Sequence, residues 1–325
     1  MTEINNANVS LEYNLNNYDD PNEVDDLYHV VVQKGNVGSS YVYALQLLHK
    51  GTNIYVFRGN RQKDVAFDKN NPVLRLIGQD GNTAGGHTQT WEYAGQSGDW
   101  LVGTKPDPTS EKHWTTQITR VHIPDGTKIY KNTELPRLSH LNYAGGYHID
   151  MLRVEAAVSP DYEKLLIASV DKSNNGYFSV YSMAEVNEKL TQSQYNVSNG
   201  IIPDVDIRNL DCRKSFMISG ITDSNKVGSI QGYDIDKDAN NIYISSQYAG
   251  QLERKIVKIP WGETNSNNWE RVNLTNNSTL TIEGYKTEFE GIQYISDNNL
   301  YLTVSYHRES DALTTINKIF RVSWN

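Results

Sequence analysis

Five stretches of this sequence repeat one arrangement. Each has an extended run with Gln, Glu or Val near its start, then a polar turn, then a second apolar run roughly eleven residues on. The anchors are Val31, Gln89, Glu155, Gln231 and Glu290, separated by roughly 60 to 75 residues. The runs are too short and too rich in β-branched and aromatic residues for helices. Strands recurring at this period predict an all-β protein, a five-bladed β-propeller, and five such units account for the 325 residues as one domain, 1–325.

The units read as meanders with hairpin-length connections. In the first, Val30-Val31-Val32 opens a strand, GNVGSS turns it, Tyr41 to Leu47 returns, and Gly51-Thr-Asn turns again into Ile54 to Arg58. In the third, Ser159-Pro160-Asp161 marks a turn between two apolar runs. The last unit reaches Asn325 after its third strand, and VSLEYN at Val9 to Asn14 alternates apolar and polar. This segment is expected to pair beside residues 317–323 and close the ring. Ser182-Met-Ala-Glu185 has the form of a capping box and precedes a helical stretch, which predicts one short inserted helix. Residues 60–72, with few apolar positions, read as a surface loop.

A formal net charge of −9 without a basic run argues against nucleic acid and against anionic membranes as non-specific partners. Cys212 is the one cysteine, so no intrachain disulfide forms. The polar, acidic N-terminal sequence lacks the basic and apolar regions of a secretory signal peptide, and no run of about eighteen apolar residues occurs. Membrane insertion is not expected, and the chain is long enough for a stable monomer.

In a closed propeller the starts of the inner strands surround an axial channel. His87, Gln89, Trp91, Gln231 and Tyr233 are therefore candidate ligand-binding residues at one mouth. Glu155 and Glu290 are a candidate acid–base pair for glycoside hydrolysis, where carboxylate separation decides the stereochemical course. The competing reading is that these side chains hydrogen-bond strand ends and hold the blades in register. Trp91, Tyr93, Tyr147, Tyr233 and Tyr294 could stack on sugar rings, or fill the space between blades. Asp234, Asp236 and Asp238 imitate the opening of a calcium loop, but Ala239 stands where such loops need Gly and Ser245 where they need a late acid. A capped hairpin is the expected structure there, with no metal or other cofactor. No zinc-binding histidine spacing, nucleophile elbow or nucleotide-binding loop is present.

Several longer phrases are similar to one family. They include VVQKGNVGSSYVYALQL at 31–47, GGHTQTWEYAG at 85–95, PRLSHLNYAG at 136–145, EAAVSPDYEKLLIASV at 155–170, SIQGYDIDKDANNIYISSQ at 229–247, YLTVSYH at 301–307 and the closing VSWN. These resemble the helveticin J family, large heat-labile class III bacteriocins of lactic acid bacteria. The likeness runs in one order from about His29, and the first 25 or so residues and the 60–72 loop carry none of it.

The resemblance implies a protein that kills or inhibits related Gram-positive bacteria, made in the cytoplasm and released without a classical signal peptide. It supplies no catalytic residues. An acidic, strand-rich chain is repelled by anionic surfaces. The expected partner is therefore a specific glycan or protein on the target cell, and activity should need the intact fold. Two other readings stand beside this one: a hydrolase of wall carbohydrate working through Glu155 and Glu290, and a non-toxic surface adhesion or aggregation factor.

Overall fold

A computed structural model describes residues 1–17, 29–48, 53–68, 70–76, 85–107, 109–123, 128–130, 135–148, 150–194 and 203–325. Five sheets surround one axis as a β-propeller. Their inner strands are Val32–Val37, Trp91–Tyr93, Met151–Val158, Gly232–Ile235 and Tyr285–Ser296, each starting within a few residues of a repeat anchor. From each inner strand the chain steps outward through antiparallel neighbours, as in Met151–Val158, Lys164–Asp171, Gly176–Ser182 and Cys212–Ile218 of the third blade. The turn at Gly51 and Thr52 lies outside the described residues.

Closure follows the alternation read from the sequence. Strand Asn8–Asn17 pairs antiparallel with Thr314–Ser323, with Val9 opposite Val322 and Asn14 opposite Lys318. It supplies the missing strand of the fifth blade and brings Tyr13 and Leu15 into the core. Ahead of it, Thr2–Ile4 runs parallel to Glu270–Asn273 on the outer edge of the fourth blade. The N-terminal segment thus ties two blades together.

A further regularity joins the ring. In three blades the segment between the third and fourth strands reaches back and adds a parallel outer strand to the preceding blade, and in the fifth the segment ahead of the fourth strand does the same. Asp64–Phe67 of the first blade extends the fifth, Lys128–Tyr130 of the second extends the first, Asp204–Asp206 of the third extends the second, and Thr2–Ile4 of the fifth extends the fourth. Residues 60–72 are therefore not simply a surface loop: their centre is a strand paired with Asn14–Asn17. The apolar signal there was weak because the stabilising partner is another blade's exposed edge, whose unpaired amides and carbonyls it satisfies.

The helix spans Met183–Gln194, and the Ser182 hydroxyl accepts from the Glu185 amide at 3.4 Å. It lies in the third blade's back-reaching segment and is clamped to the second blade by Arg120. That guanidinium donates to the Asn187 carbonyl at 3.0 Å, the Thr191 hydroxyl at 2.9 Å and Gln194 Oε1 at 3.1 Å.

Near the axis, glycine sets how closely blades approach. A Cβ added at Gly232 would lie 2.7 Å from the Cα of Gly291, and one at Gly291 would lie 2.4 Å from Cδ of Lys34. The bare backbone at Gly291 is the space through which the Lys34 stem crosses toward the axis.

Candidate functional site

The inner strands run from one face of the ring to the other. Residues that begin them gather at one mouth, and residues that end them gather at the opposite mouth. The first mouth is a cavity of ≈ 550 Å³ whose lining includes His87, Trp114, Arg153, Gln231 and Glu290. Beneath it the repeat anchors meet. Gln89 donates its amide to Gln231 Oε1 at 3.0 Å and to Glu290 Oε2 at 3.1 Å, and accepts from Arg153 Nη2 at 2.7 Å. Arg153 also reaches Glu155 Oε1 at 3.2 Å and the Ile230 carbonyl at 3.1 Å, with its guanidinium 3.8 Å over the Trp114 ring.

Glu155 is committed on both oxygens. Its Oε2 accepts from the Thr88 hydroxyl at 3.1 Å, the Gln89 amide at 3.0 Å and the Thr90 hydroxyl at 2.6 Å, while its Oε1 faces Arg153. It is 2 % exposed and lines neither cavity. Glu290 does line the first cavity. Burial and the charge of Glu288 push its carboxyl well above the usual range, against the opposing effects of Gln89 and Arg153. The structure thus brings the two glutamates together through Gln89 but does not present both to one substrate.

His87 sits at the rim, its ring centroid 4.0 Å from that of Trp114 and its Nε2 3.3 Å from Gln33 Oε1. Burial, then the charges of Arg153 and Lys112, lower this imidazole to about 3, so the ring is neutral at neutral pH. Trp91 and Tyr233 are not at the mouth. Trp91 stacks on Trp100 at 4.7 Å between the first two blades, and Tyr233 packs edge-on to Phe178 at 6.1 Å. Both are buried, because their strand positions face a neighbouring blade rather than the channel. Tyr147 is exposed away from both cavities.

The second mouth, of ≈ 360 Å³, lies where the inner strands end. Tyr93 and Tyr294 line it, joined by Tyr41, Tyr43, Trp100 and Tyr162. Two buried carboxylates, Glu92 and Asp234, form its inner end. Lys34 Nζ pairs with Glu92 Oε1 at 2.7 Å and donates to the Ile292 carbonyl. Asp234 accepts the amides of Ile235 at 2.7 Å and Tyr294 at 2.6 Å.

The calcium-like aspartates therefore diverge. Asp234 faces this cavity, Asp236 caps its own hairpin through the Asn240 amide and the Asn241 side chain, both at 2.7 Å, and Asp238 is exposed. Among the described residues no group of three or more His, Cys, Asp or Glu side chains is placed to hold a metal ion.

Lys34, Glu92 and Arg153 were not singled out from sequence. Lys34 and Glu92 are the charged residues of their inner strands, and Arg153 lies two residues before Glu155 on the same face of its own.

Burial raises Glu92 to about 7, with Lys34 opposing and Asp234 adding, and burial likewise raises Asp234 to about 6. The folded protein therefore holds protons that the unfolded chain has released once pH exceeds the ordinary carboxyl value. Stability from Glu92 is present at low pH and declines between about 4.5 and about 7. Glu92→Gln should remove that component. The difference in melting temperature, variant minus parent, should rise across this window and then level; a difference independent of pH would contradict the assignment.

The match to known proteins covers nearly the whole chain. The family model "Bacteriocin helveticin-J" matches residues 3–325. The N-terminal segment and the 60–72 region are thus within the family pattern, consistent with both being strands of the ring rather than appendages. The chain is 42% identical to "Bacteriocin helveticin-J" of Lactobacillus helveticus over 334 residues, covering 93% of this chain and 95% of that protein.

Among solved structures, the tail fiber of Staphylococcus aureus phage P68 superposes with a TM-score of 0.56 at 12% identity. It covers 97% of this chain, which spans about half (52%) of the fiber chain, and the likeness is one of fold. A thermostable family-43 glycoside hydrolase, at TM-score 0.47 and 10% identity over 94% of this chain and 93% of that one, is too distant to bear on chemistry. With a five-bladed ring matched from its third residue to its last and a bacteriocin relative of equal extent, this chain belongs to the helveticin J family of bacteriocins.

Proposed function

We propose that the protein inhibits related Gram-positive bacteria after binding a specific component of their surface, and that it does not cleave that component. Membership in a bacteriocin family supports the antibacterial part of this reading. The observation that carries the rest is the state of Glu155: with both carboxylate oxygens engaged and no face on either cavity, it cannot exchange a proton with a glycosidic bond beside Glu290. What remains open at the two mouths is binding surface.

Charge favours selectivity over bulk adsorption. At −9 the chain gains nothing from anionic wall polymers or lipid headgroups. Among the described residues no helix is long and apolar enough to cross a membrane. The protein acts outside the producing cell, on a surface glycan or surface protein of the target.

The test is incubation of purified protein with walls from a sensitive strain, measuring retained protein, soluble sugar and viability in parallel. Saturable retention without released fragments, and inhibition that persists in Glu155→Gln, are expected. Fragment release abolished by Glu155→Gln or Glu290→Gln would replace this reading with hydrolysis. Clumping without loss of viability would replace it with adhesion.

A further inference from the structure

The second mouth has features that packing alone does not require. All five blades contribute to it: Tyr41 and Tyr43 from the first, Tyr93 and Trp100 from the second, Tyr162 from the third, Asp234 from the fourth and Tyr294 from the fifth. Its ≈ 360 Å³ falls in the range of small-molecule sites, roughly 300–1,000 Å³. The aromatic wall is braced from behind. Tyr43 lies 4.4 Å from Trp100 by ring centroids, Tyr93 meets Trp100 edge-on at 5.5 Å, and Tyr162 meets Tyr93 edge-on at 5.0 Å. Rings fixed in this way lose little freedom when a ligand stacks on them.

Tyr162 is also held in an unfavourable backbone conformation. Its φ is +61°, in the left-handed region that bulky residues rarely enter. The turn enforces this through the Tyr162 amide donating to the Ser159 carbonyl at 2.8 Å and the Ser159 hydroxyl donating to Asp161 at 2.5 Å. Gly95, itself at φ +73°, lies against it, and a Cβ there would come within 2.9 Å of the Tyr162 Cβ. Asn would fit this backbone better than Tyr. The fold nevertheless places there a ring that is 48% exposed at the edge of the cavity. Strain kept for an exposed aromatic points to a use for the ring.

The polar end of the cavity selects the ligand class. Glu92 and Asp234 offer carboxyl oxygens as acceptors, and among the described residues the cation beside them, Lys34, is paired with Glu92. Among the described residues, phosphate and other anions would meet two carboxyl groups and no lining Lys or Arg. A neutral polyol with one apolar face fits, because its hydroxyls donate to carboxylates while its C–H face lies on an aromatic ring.

We propose that this cavity binds one neutral pyranose ring of a cell-surface glycan, its C–H face on the Tyr93–Tyr162 wall and its hydroxyls donating to Glu92 and Asp234. This rests on the reading that the protein recognises a surface component, and it names the mouth and the ligand class. The opposite mouth, with His87, Arg153 and Glu290, is then not the recognition site.

The experiment titrates the full-length protein with methyl glycosides of glucose, galactose, N-acetylglucosamine and rhamnose, with glycerol phosphate as the anionic comparator. Binding is followed by tryptophan fluorescence and by shifts of tyrosine ring signals in NMR. At least one neutral glycoside should bind saturably and glycerol phosphate should not. Tyr162→Asn should weaken that binding by about tenfold or more without lowering the melting temperature, and Asp234→Asn should weaken it similarly.

Retention on purified walls is measured in parallel with the same variants. Wall retention unchanged in Tyr162→Asn and Tyr93→Ala, with no saturable response to any neutral glycoside, overturns the cavity assignment while leaving surface recognition intact. Absence of wall retention in the parent protein, with a glycoside still bound in the cavity, overturns the recognition reading instead. Equal binding of glycerol phosphate overturns the neutral-ligand assignment.

Discussion

Replacing Arg153 with methionine should destabilise the fold by about 3–5 kcal/mol, because it removes one partner of a buried ion pair and leaves the other charged. Arg153 is 6% exposed and joins three blades: it reaches Gln89 at 2.7 Å, Glu155 at 3.2 Å and the Ile230 carbonyl at 3.1 Å. Methionine keeps much of the aliphatic volume, so the loss reports the charge and its hydrogen bonds rather than a cavity. Without the guanidinium, Glu155 keeps its three donors from Thr88, Gln89 and Thr90 but has no counter-charge. The double variant Arg153→Met, Glu155→Gln should recover at least half of the loss. Urea unfolding measures both. A single variant within about 1 kcal/mol of the parent, at the level of an exposed pair, would show that the axial network does not hold the ring.

Deleting residues 1–17 should have a comparable or larger effect. The deletion removes Thr2–Ile4 from the fourth blade and Asn8–Asn17 from the middle of the fifth, between Thr314–Ser323 and Asp64–Phe67. It takes Tyr13 and Leu15 from one core cluster and uncovers Phe320 and Val322 in another. At roughly 1.5–3 kcal/mol for each fully buried large side chain, the loss is on the order of 5 kcal/mol or more before the three opened strand edges are considered. The melting temperature should fall by about 10 °C or more. The shortened protein should also self-associate on concentration, since the freed edge of Thr314–Ser323 is a template for strand addition. A melting curve that overlays the parent's would mean that the ring closes without its N-terminal strand.

Much of the ring was legible because its signals are local. Alternation at Val9–Asn14, the turn at Ser159-Pro160-Asp161 and the capping box at Ser182 each depend on a few adjacent residues, and each appears in the structure as an element or its boundary. The back-reaching strands Asp64–Phe67, Lys128–Tyr130 and Asp204–Asp206 were not legible. They are three or four residues long, and what stabilises them is the open edge of a blade remote in sequence.

The candidate site divides the same way. Gln89, Glu155, Gln231 and Glu290 occupy equivalent places in successive repeats, so their meeting at the axis could be read from spacing. Trp91 and Tyr233 show the limit of that reading. Period-two alternation separates the faces of a strand, but it does not say which face looks into the channel and which packs on the next blade. Tyr41, Tyr43 and Tyr162 come from second strands and turns rather than from the repeated positions, and no spacing rule connects them.

By itself the sequence determined the class of fold, the number of blades, the strand that closes them and the family, because repeat period, strand alternation and extended phrase similarity are all properties of order along the chain. The tertiary structure alone decided that Glu155 is tied down and that Glu92, Asp234 and a tyrosine wall share the opposite mouth. Those facts depend on which side chains neighbouring blades bring within hydrogen-bond distance and which they leave facing space. Residues more than fifty positions apart are set there by the curvature of the ring and the close approach of its inner strands, and neither is written in any local stretch of sequence.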